Sequence, residues 1–153
     1  MGAVPMRGVR LAVDVGAVRV GVARCDPDGI LASPVDTLAR EPGTVQRIVA
    51  LVEELEALVV YVGLPVSMSG AEGLAADAAR AFAVELAGAT TCPVFLVDER
   101  LSTVDAQRAL RDAGRSARSS RSVVDQVAAV IILEQALAIE RATGTLAGTA
   151  VTV

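Results

Sequence analysis

The sequence predicts a single α/β domain built on a mixed β-sheet, with helices on both faces of the sheet. Three β-rich stretches come first, and helices and strands alternate after them. The links within the first part are short enough for hairpins, which favours three antiparallel strands followed by two parallel strands. With 153 residues, of which 53% are hydrophobic and 21% charged, the chain can bury one core without disulfides.

The first three strands differ in how strongly the sequence supports them. We expect them at residues 9–15, 19–25 and 30–38. The first is a β-branched run that is too apolar for a sheet edge, so we place it in the interior. The second ends at a turn formed by Asp26, Pro27, Asp28 and Gly29. The third is the weakest because Pro34 interrupts it.

Helices and strands alternate in the rest of the chain. Apolar spacing and capping residues predict helices over residues 45–57, 70–87, 102–112 and 121–141, and short apolar runs predict strands over residues 58–62 and 94–97. The last helix is apolar on nearly all sides, so we expect it to pack against several elements. Residues 1–141 should form the single domain, and the small, uncharged residues 142–153 should form a flexible tail.

Histidine and lysine are both absent, and all 14 basic residues are arginine. No Ser-His-Asp or Cys-His triad, histidine-ligated zinc site, P-loop lysine or Schiff base can therefore form. Only three residues are aromatic, which argues against stacking of bases on aromatic platforms. An enzyme of this composition has to use carboxylates, arginine, its one tyrosine or a metal ion.

Three acidic residues stand in apolar surroundings: Asp14 in the first strand, Glu99 after the fifth, and Asp125 in the last helix. A buried carboxylate is costly unless a charge or hydrogen bonds compensate it. Three arginines could provide internal ion pairs: Arg19, Arg100 and Arg121. Alternatively, the acids converge on a divalent metal, since Mg²⁺ and Mn²⁺ prefer carboxylate oxygens. The spacing alone leaves both interpretations open.

Positive charge is concentrated in residues 100–121, although the whole chain carries a net charge of −4. This segment contains two aspartates and six arginines: Arg100, Arg108, Arg111, Arg115, Arg118 and Arg121. Such a run is usually a solvated surface. Because this one lies between two of the unusual acids in the sequence, contact with a phosphate backbone is the alternative interpretation.

The two cysteines, Cys25 and Cys92, lack the spacing of a metal cluster or a redox pair, so we expect small buried thiols. The first residues do not form a secretory signal, and the longest apolar run, residues 127–133, is far shorter than a membrane span. We therefore expect a cytoplasmic protein with no membrane partner.

Four motifs in the chain resemble those of the YqgF family, also called RuvX-like, of bacterial nucleases with a ribonuclease H fold. They are DVGAVRVGVA from Asp14, VGLP from Val62, DERLST from Asp98 and VDQVAA from Val124. They occur in the family's order and cover most of the chain from Arg10 to Leu137.

The resemblance implies a ribonuclease H-like sheet and a phosphodiesterase site with two Mg²⁺ or Mn²⁺ ions. Asp14, Glu99 and Asp125 match the family's acidic triad and would serve as catalytic residues and metal ligands. Arg19 and Arg100 match positions suited to binding substrate phosphates or orienting the acids. The arginines of the segment 108–121 would hold the nucleic-acid backbone: Arg108, Arg111, Arg115, Arg118 and Arg121. Cys25 departs from the family, which commonly has a small hydroxyl residue there.

We therefore expect a metal-dependent endonuclease acting on structured nucleic acid, with 5′-end processing of pre-16S rRNA in ribosome biogenesis as the favoured reaction. Three alternatives stay open. A Holliday junction resolvase would cut branched DNA symmetrically and would act as a homodimer, not a monomer. An actin-like nucleotide binder would need a further phosphate loop. A non-catalytic RNA-binding factor would have its acids paired with arginine.

Overall fold

A computed structural model describes residues 7–67, 69–99 and 121–152, with side chains from residue 126 onward in the last segment. Its strands are β1 (Arg10–Val15), β2 (Arg19–Cys25), β3 (Ala32–Ala39), β4 (Val59–Leu64), β5 (Val94–Asp98) and β6 (Thr149–Ala150). The helices of the described residues are α1 (Thr44–Leu55), α2 (Leu74–Ala89) and α3 (Arg121–Thr143).

All six strands form one sheet in the order β3-β2-β1-β4-β5-β6. β1 and β2 pair antiparallel, as do β2 and β3, whereas β4 pairs parallel with both β1 and β5. This confirms the prediction of three antiparallel strands followed by two parallel strands, with β1 in the interior. The carboxyl ends of β1, β4 and β5 consequently meet at one edge of the sheet.

The core lies on both faces of the sheet because side chains alternate along each strand. Leu11, Val13 and Val62 pack on the face covered by α1 and α2. Ala12 and Tyr61 pack on the other face, against α3. The prediction of helices on both faces is therefore confirmed. Among the described residues, no helix is long and apolar enough to cross a membrane.

The second helix begins later than its predicted start near residue 70. Val66 and Glu72 form an isolated β-bridge, and the Ser67 amide donates a hydrogen bond to the Ala71 carbonyl at 2.9 Å. These contacts close a turn ahead of the helix, so helical geometry begins at Leu74. The predicted helix over residues 102–112 lies outside the described residues.

The segment after Arg141 differs from the flexible tail predicted for residues 142–153. α3 continues to Thr143, and Thr149–Ala150 pair antiparallel with β5 as β6. Gly144 and Gly148 both have positive φ, which allows the chain to reverse and return to the sheet. Ala147, between them, is fully buried. The limits of a single domain at residues 1–141 stay a prediction.

A buried ion pair, which the sequence analysis missed, links β1 to the end of α3. The Nη2 atom of Arg10 donates to Glu140 Oε1 at 2.8 Å, and both side chains are almost fully buried. The Tyr61 hydroxyl donates to the other oxygen of Glu140 and accepts a hydrogen bond from the Ala147 amide. The network therefore connects β1, β4, α3 and the segment that leads to β6.

Both cysteines are free thiols. Cys25 is buried, as predicted, and its sulfur accepts a hydrogen bond from the Arg10 amide at 3.2 Å. Cys92 is only half-buried. Burial raises the pKa of the Cys92 thiol to about 11, so this side chain is a poor nucleophile at neutral pH.

Candidate active site

Asp14 lies near the end of β1, with a glycine beside it on each neighbouring strand. It pairs with Gly21 of β2, and the pairing of Val13 with Val62 puts Gly63 of β4 on its other side. Because side chains alternate and Ala12 faces α3, the half-buried Asp14 side chain is on the α3 face as well. Neither neighbouring strand therefore places a side chain of its own beside this carboxylate.

Glu99 follows β5 directly, and its side chain reaches across to β4. A Cβ atom built on Gly63 would lie 3.0 Å from the Glu99 Oε2 atom and 2.5 Å from the Ile132 Cδ1 atom of α3. The Glu99 carboxylate therefore occupies the space that a side chain at position 63 would take. This brings it beside the strand position next to Asp14.

The electrostatics of Glu99 reflect this crowding. Burial raises the pKa of its carboxyl to about 7, and the negative charges of Asp14 and Asp98 add to the shift. Two carboxylates held this close repel each other when both are ionised, and a proton or a cation relieves the repulsion. A hard divalent cation fits such a pair of oxygen donors.

Asp98 lies on the other side of β5 from this pair. It lines a cavity of about 310 Å³ together with Glu72 and Arg80, and its charge acts on Glu72 as well as on Glu99. Glu72 and Arg80 form an ion pair, with an Nε–Oε1 distance of 2.7 Å. Alternation along the strand explains why Asp98 and Glu99 face different elements.

Asp125 lies in the first turns of α3, and its side chain is outside the described residues. The next residue, Gln126, donates a hydrogen bond from Nε2 to Thr37 Oγ1 at 3.1 Å. Thr37 pairs with Gly21, which in turn pairs with Asp14. The residue next to Asp125 therefore contacts the row of the sheet that contains Asp14.

Whether the three acids converge stays a prediction. Over residues 7–67, 69–99 and 126–152, where side chains are described, no group of three acidic or cysteine side chains could hold a metal ion. Asp14 and Glu99 are the two predicted ligands that the structure brings together. The third predicted ligand is Asp125, whose side chain lies outside the described part of the chain.

The predicted nucleic-acid-binding arginines fall largely outside the structure. Arg19 begins β2, at the turn that follows the Asp14 strand. Arg121 begins α3, but its side chain is not described. The other predicted contacts lie outside the described residues: Arg100, Arg108, Arg111, Arg115 and Arg118. Their relation to the acidic pair stays a prediction.

Tyr61 can be removed from the candidates for acid–base chemistry. It is fully buried, its hydroxyl donates to Glu140, and burial raises its pKa far above neutrality. With no histidine or lysine in the chain, acid–base chemistry at this site would have to use carboxylates, arginine or a metal-bound water.

The mixed sheet, with helices on both faces, has the ribonuclease H-like fold. It is similar in structure to Thermus thermophilus RuvC in complex with a Holliday junction substrate, with a TM-score of 0.61 at 14% identity over 94% of this chain and 99% of that one. A second structure of Thermus thermophilus RuvC gives a TM-score of 0.54 at 15% identity, over 88% and 97% of the two chains.

The family model described as RuvX: Holliday junction resolvase matches residues 8–139, so the chain belongs to this family. It is 58% identical to a protein of Thermobifida fusca over 89% of this chain and 91% of the relative. It is 53% identical to a protein of Clavibacter michiganensis, over 92% of this chain and 89% of the relative. Both relatives carry the words pre-16S rRNA nuclease in their names. The predicted family resemblance is confirmed.

Proposed function

We propose that this protein is a divalent-metal-dependent endonuclease that processes the 5′ end of pre-16S rRNA in the cytoplasm. The observation that carries the proposal is the pairing of Asp14 and Glu99 over Gly63, in a family of nucleases and in a chain without histidine or lysine. The names of the relatives supply the choice of substrate.

Asp14, Glu99 and Asp125 would hold the metal, and their hard oxygen donors suit Mg²⁺ or Mn²⁺. One or two such ions would stabilise charge on the reacting phosphate and lower the pKa of a water molecule. Asp14 at the end of β1 and Glu99 directly after β5 would orient the metal. Arg19 and the arginines of residues 100–121 would bind the flanking phosphates.

The proposal predicts cleavage of an RNA that contains the pre-16S 5′ leader, in the presence of Mg²⁺ or Mn²⁺ and not in EDTA. Asp14→Asn should lower the cleavage rate by a factor of about 10³ or more, because one neutral oxygen replaces a metal-binding carboxylate. The matched control is Asp77→Asn, an exposed aspartate on α2, on the opposite face of the sheet.

Two results would overturn this function. Cleavage in the presence of EDTA would rule out dependence on a metal ion. Full activity of the Asp14→Asn protein would rule out the proposed active site. A thermal-shift titration separates a third possibility, since a non-catalytic RNA-binding factor would bind the leader RNA without any Mn²⁺-induced rise in melting temperature.

Resolution of Holliday junctions is the second candidate, favoured by the description of the family and by the fold shared with RuvC. A resolvase makes paired, symmetric nicks and therefore needs two active sites in one assembly. A four-way DNA junction assayed beside the leader RNA, together with a sedimentation measurement, distinguishes the two candidates. A strict monomer that cuts only the RNA would exclude the resolvase.

A further inference from the structure

We propose that Arg40 is a phosphate-binding residue of this site, on the opposite side of Asp14 from Glu99. The inference rests on the proposed nucleic-acid substrate and adds a contact to it. In the strand order β3-β2-β1-β4-β5, Asp14 lies on β1, Glu99 follows β5 and Arg40 follows β3. A nucleic-acid strand that crosses this edge of the sheet would have Glu99 on one side of Asp14 and Arg40 on the other.

Two hydrogen bonds hold Arg40 over the turn that follows β1. Its amide donates to the Val18 carbonyl at 2.8 Å, and its Nη1 atom donates to the Gly16 carbonyl at 3.0 Å. Gly16 is two residues beyond Asp14, which is about 7 Å along an extended strand. The guanidinium of Arg40 is therefore anchored within about one or two phosphate spacings of Asp14.

The turn that anchors Arg40 is itself tightly built. The Gly16 amide donates to the Arg19 carbonyl at 2.9 Å, and a Cβ atom at Gly16 would lie only 2.8 Å from that same oxygen. The Gly16 carbonyl consequently offers a fixed acceptor. It orients Arg40 beside Arg19, whose strand neighbour Ala39 directly precedes Arg40.

The remaining donors of Arg40 are available to a ligand. The side chain is exposed, and within the described ranges no carboxylate lies within 4 Å of its guanidinium. One Nη1 hydrogen bond uses a single donor of the five that a guanidinium carries. Arginine presents such donors in a planar fork that matches phosphate oxygens. The geometry thus fits a nucleic-acid phosphate.

The test measures binding of the pre-16S leader RNA and of a four-way DNA junction over a series of salt concentrations, in the Asp14→Asn background so that neither substrate is cut. Arg40→Gln should weaken binding severalfold at every salt concentration. It should also lower the slope of log K against log [salt] by about 0.7 to 0.9, the value for one phosphate contact. Arg40→Lys should keep most of the slope, since it keeps the charge.

The matched control is Arg47→Gln, which removes the same charge from an exposed arginine on α1, on the other face of the sheet. It should leave both the affinity and the slope unchanged. Replacing single phosphates of the RNA by uncharged methylphosphonates then locates the contact. Arg40→Gln should no longer weaken binding only when a phosphate next to the scissile position is neutral.

The possible failures are distinguishable. If wild-type protein cleaves the leader RNA while Arg40→Gln and Arg47→Gln bind alike, the Arg40 contact is wrong and the proposed function stands. If the sensitivity to Arg40 persists whichever phosphate is neutralised, the contact is also wrong. If the wild-type protein neither binds nor cleaves either nucleic acid, the proposed function fails and the Arg40 contact with it.

Discussion

Gly63 is the residue whose missing side chain makes room for the acidic pair. Gly63→Ala puts a methyl group 2.5 Å from Ile132 Cδ1 and 3.0 Å from Glu99 Oε2, so both neighbours have to move. We expect a loss of stability of about 1–3 kcal/mol from overpacking and a fall in cleavage rate of about tenfold or more. Urea unfolding and single-turnover cleavage measure the two effects.

A second substitution separates packing from positioning at this residue. Ile132→Val removes the Cδ1 atom that makes the closest contact, so combining it with Gly63→Ala should restore stability but not activity. Gly43→Ala is the control, because nothing lies within 4 Å of a Cβ atom there. If the double variant regains full activity, Gly63 acts only through packing.

Glu99 makes the stability of the metal-free protein depend on pH. Its folded pKa of about 7 exceeds the ordinary value of 4.5, so the folded state binds a proton that the unfolded state releases above pH 4.5. Stability should therefore fall as the pH rises from about 4.5 through 7. Because the chain lacks histidine, few other groups titrate between pH 5 and 8.

Urea unfolding in EDTA at pH 5 and pH 8 measures this dependence. The free energy of unfolding of the wild-type protein should be lower at pH 8 than at pH 5. Glu99→Gln should make the two values nearly equal. Asp14→Asn should reduce it in part, since the Asp14 charge contributes to the shift. Glu54→Gln, at an exposed position on α1, should behave as wild type. Equal pH dependence in the Glu99→Gln and wild-type proteins would contradict the proposed crowding of the acids.

At the scale of elements, one hydrogen bond joins α3 to the sheet near Asp125. Gln126 Nε2 and Thr37 Oγ1 are 3.1 Å apart, and Thr37 shares a row of the sheet with Asp14. Thr37→Val and Gln126→Leu should each raise the Mn²⁺ concentration needed for half-maximal cleavage, because the start of α3 carries the third proposed ligand. A double-mutant cycle should give a coupling of about 1 kcal/mol.

Thr149→Val is the control for this pair, since it makes the same change at an exposed strand position on β6. It should leave the requirement for Mn²⁺ unaltered. Additive effects of Thr37→Val and Gln126→Leu would mean that the two residues act separately, and the positioning role would then be lost.

The elements were predictable where periodicity or local polarity marked them. Alternation and β-branched runs located β1 to β5, and an acid inside an apolar strand located Asp14. The two-residue β6 and the late start of α2 depend on pairings between residues that have no periodic signal. Arg40, like the Thr37–Gln126 contact, becomes part of the site only through the register of β2 and β3.

At the scale of the whole molecule, the class of fold was predictable from the sequence, whereas the burial of one acid was not. Glu140 lies near the end of the predicted last helix, where an acid next to Arg141 resembles a solvated helix end. The structure buries it against Arg10, which is 130 residues away in the chain. Only tertiary packing brings the two charges together, so local pattern could not reveal the pair.

The Arg10–Glu140 pair also has a consequence for the order in which the protein can form as it leaves the ribosome. Breaking a buried pair costs about 3–5 kcal/mol, because the remaining charge has no compensation. A nascent chain that lacks Glu140 has a central strand with an arginine it cannot bury, however complete the rest of its sheet. We therefore expect stable assembly of the acidic site to require that the segment carrying Glu140 has already left the ribosome.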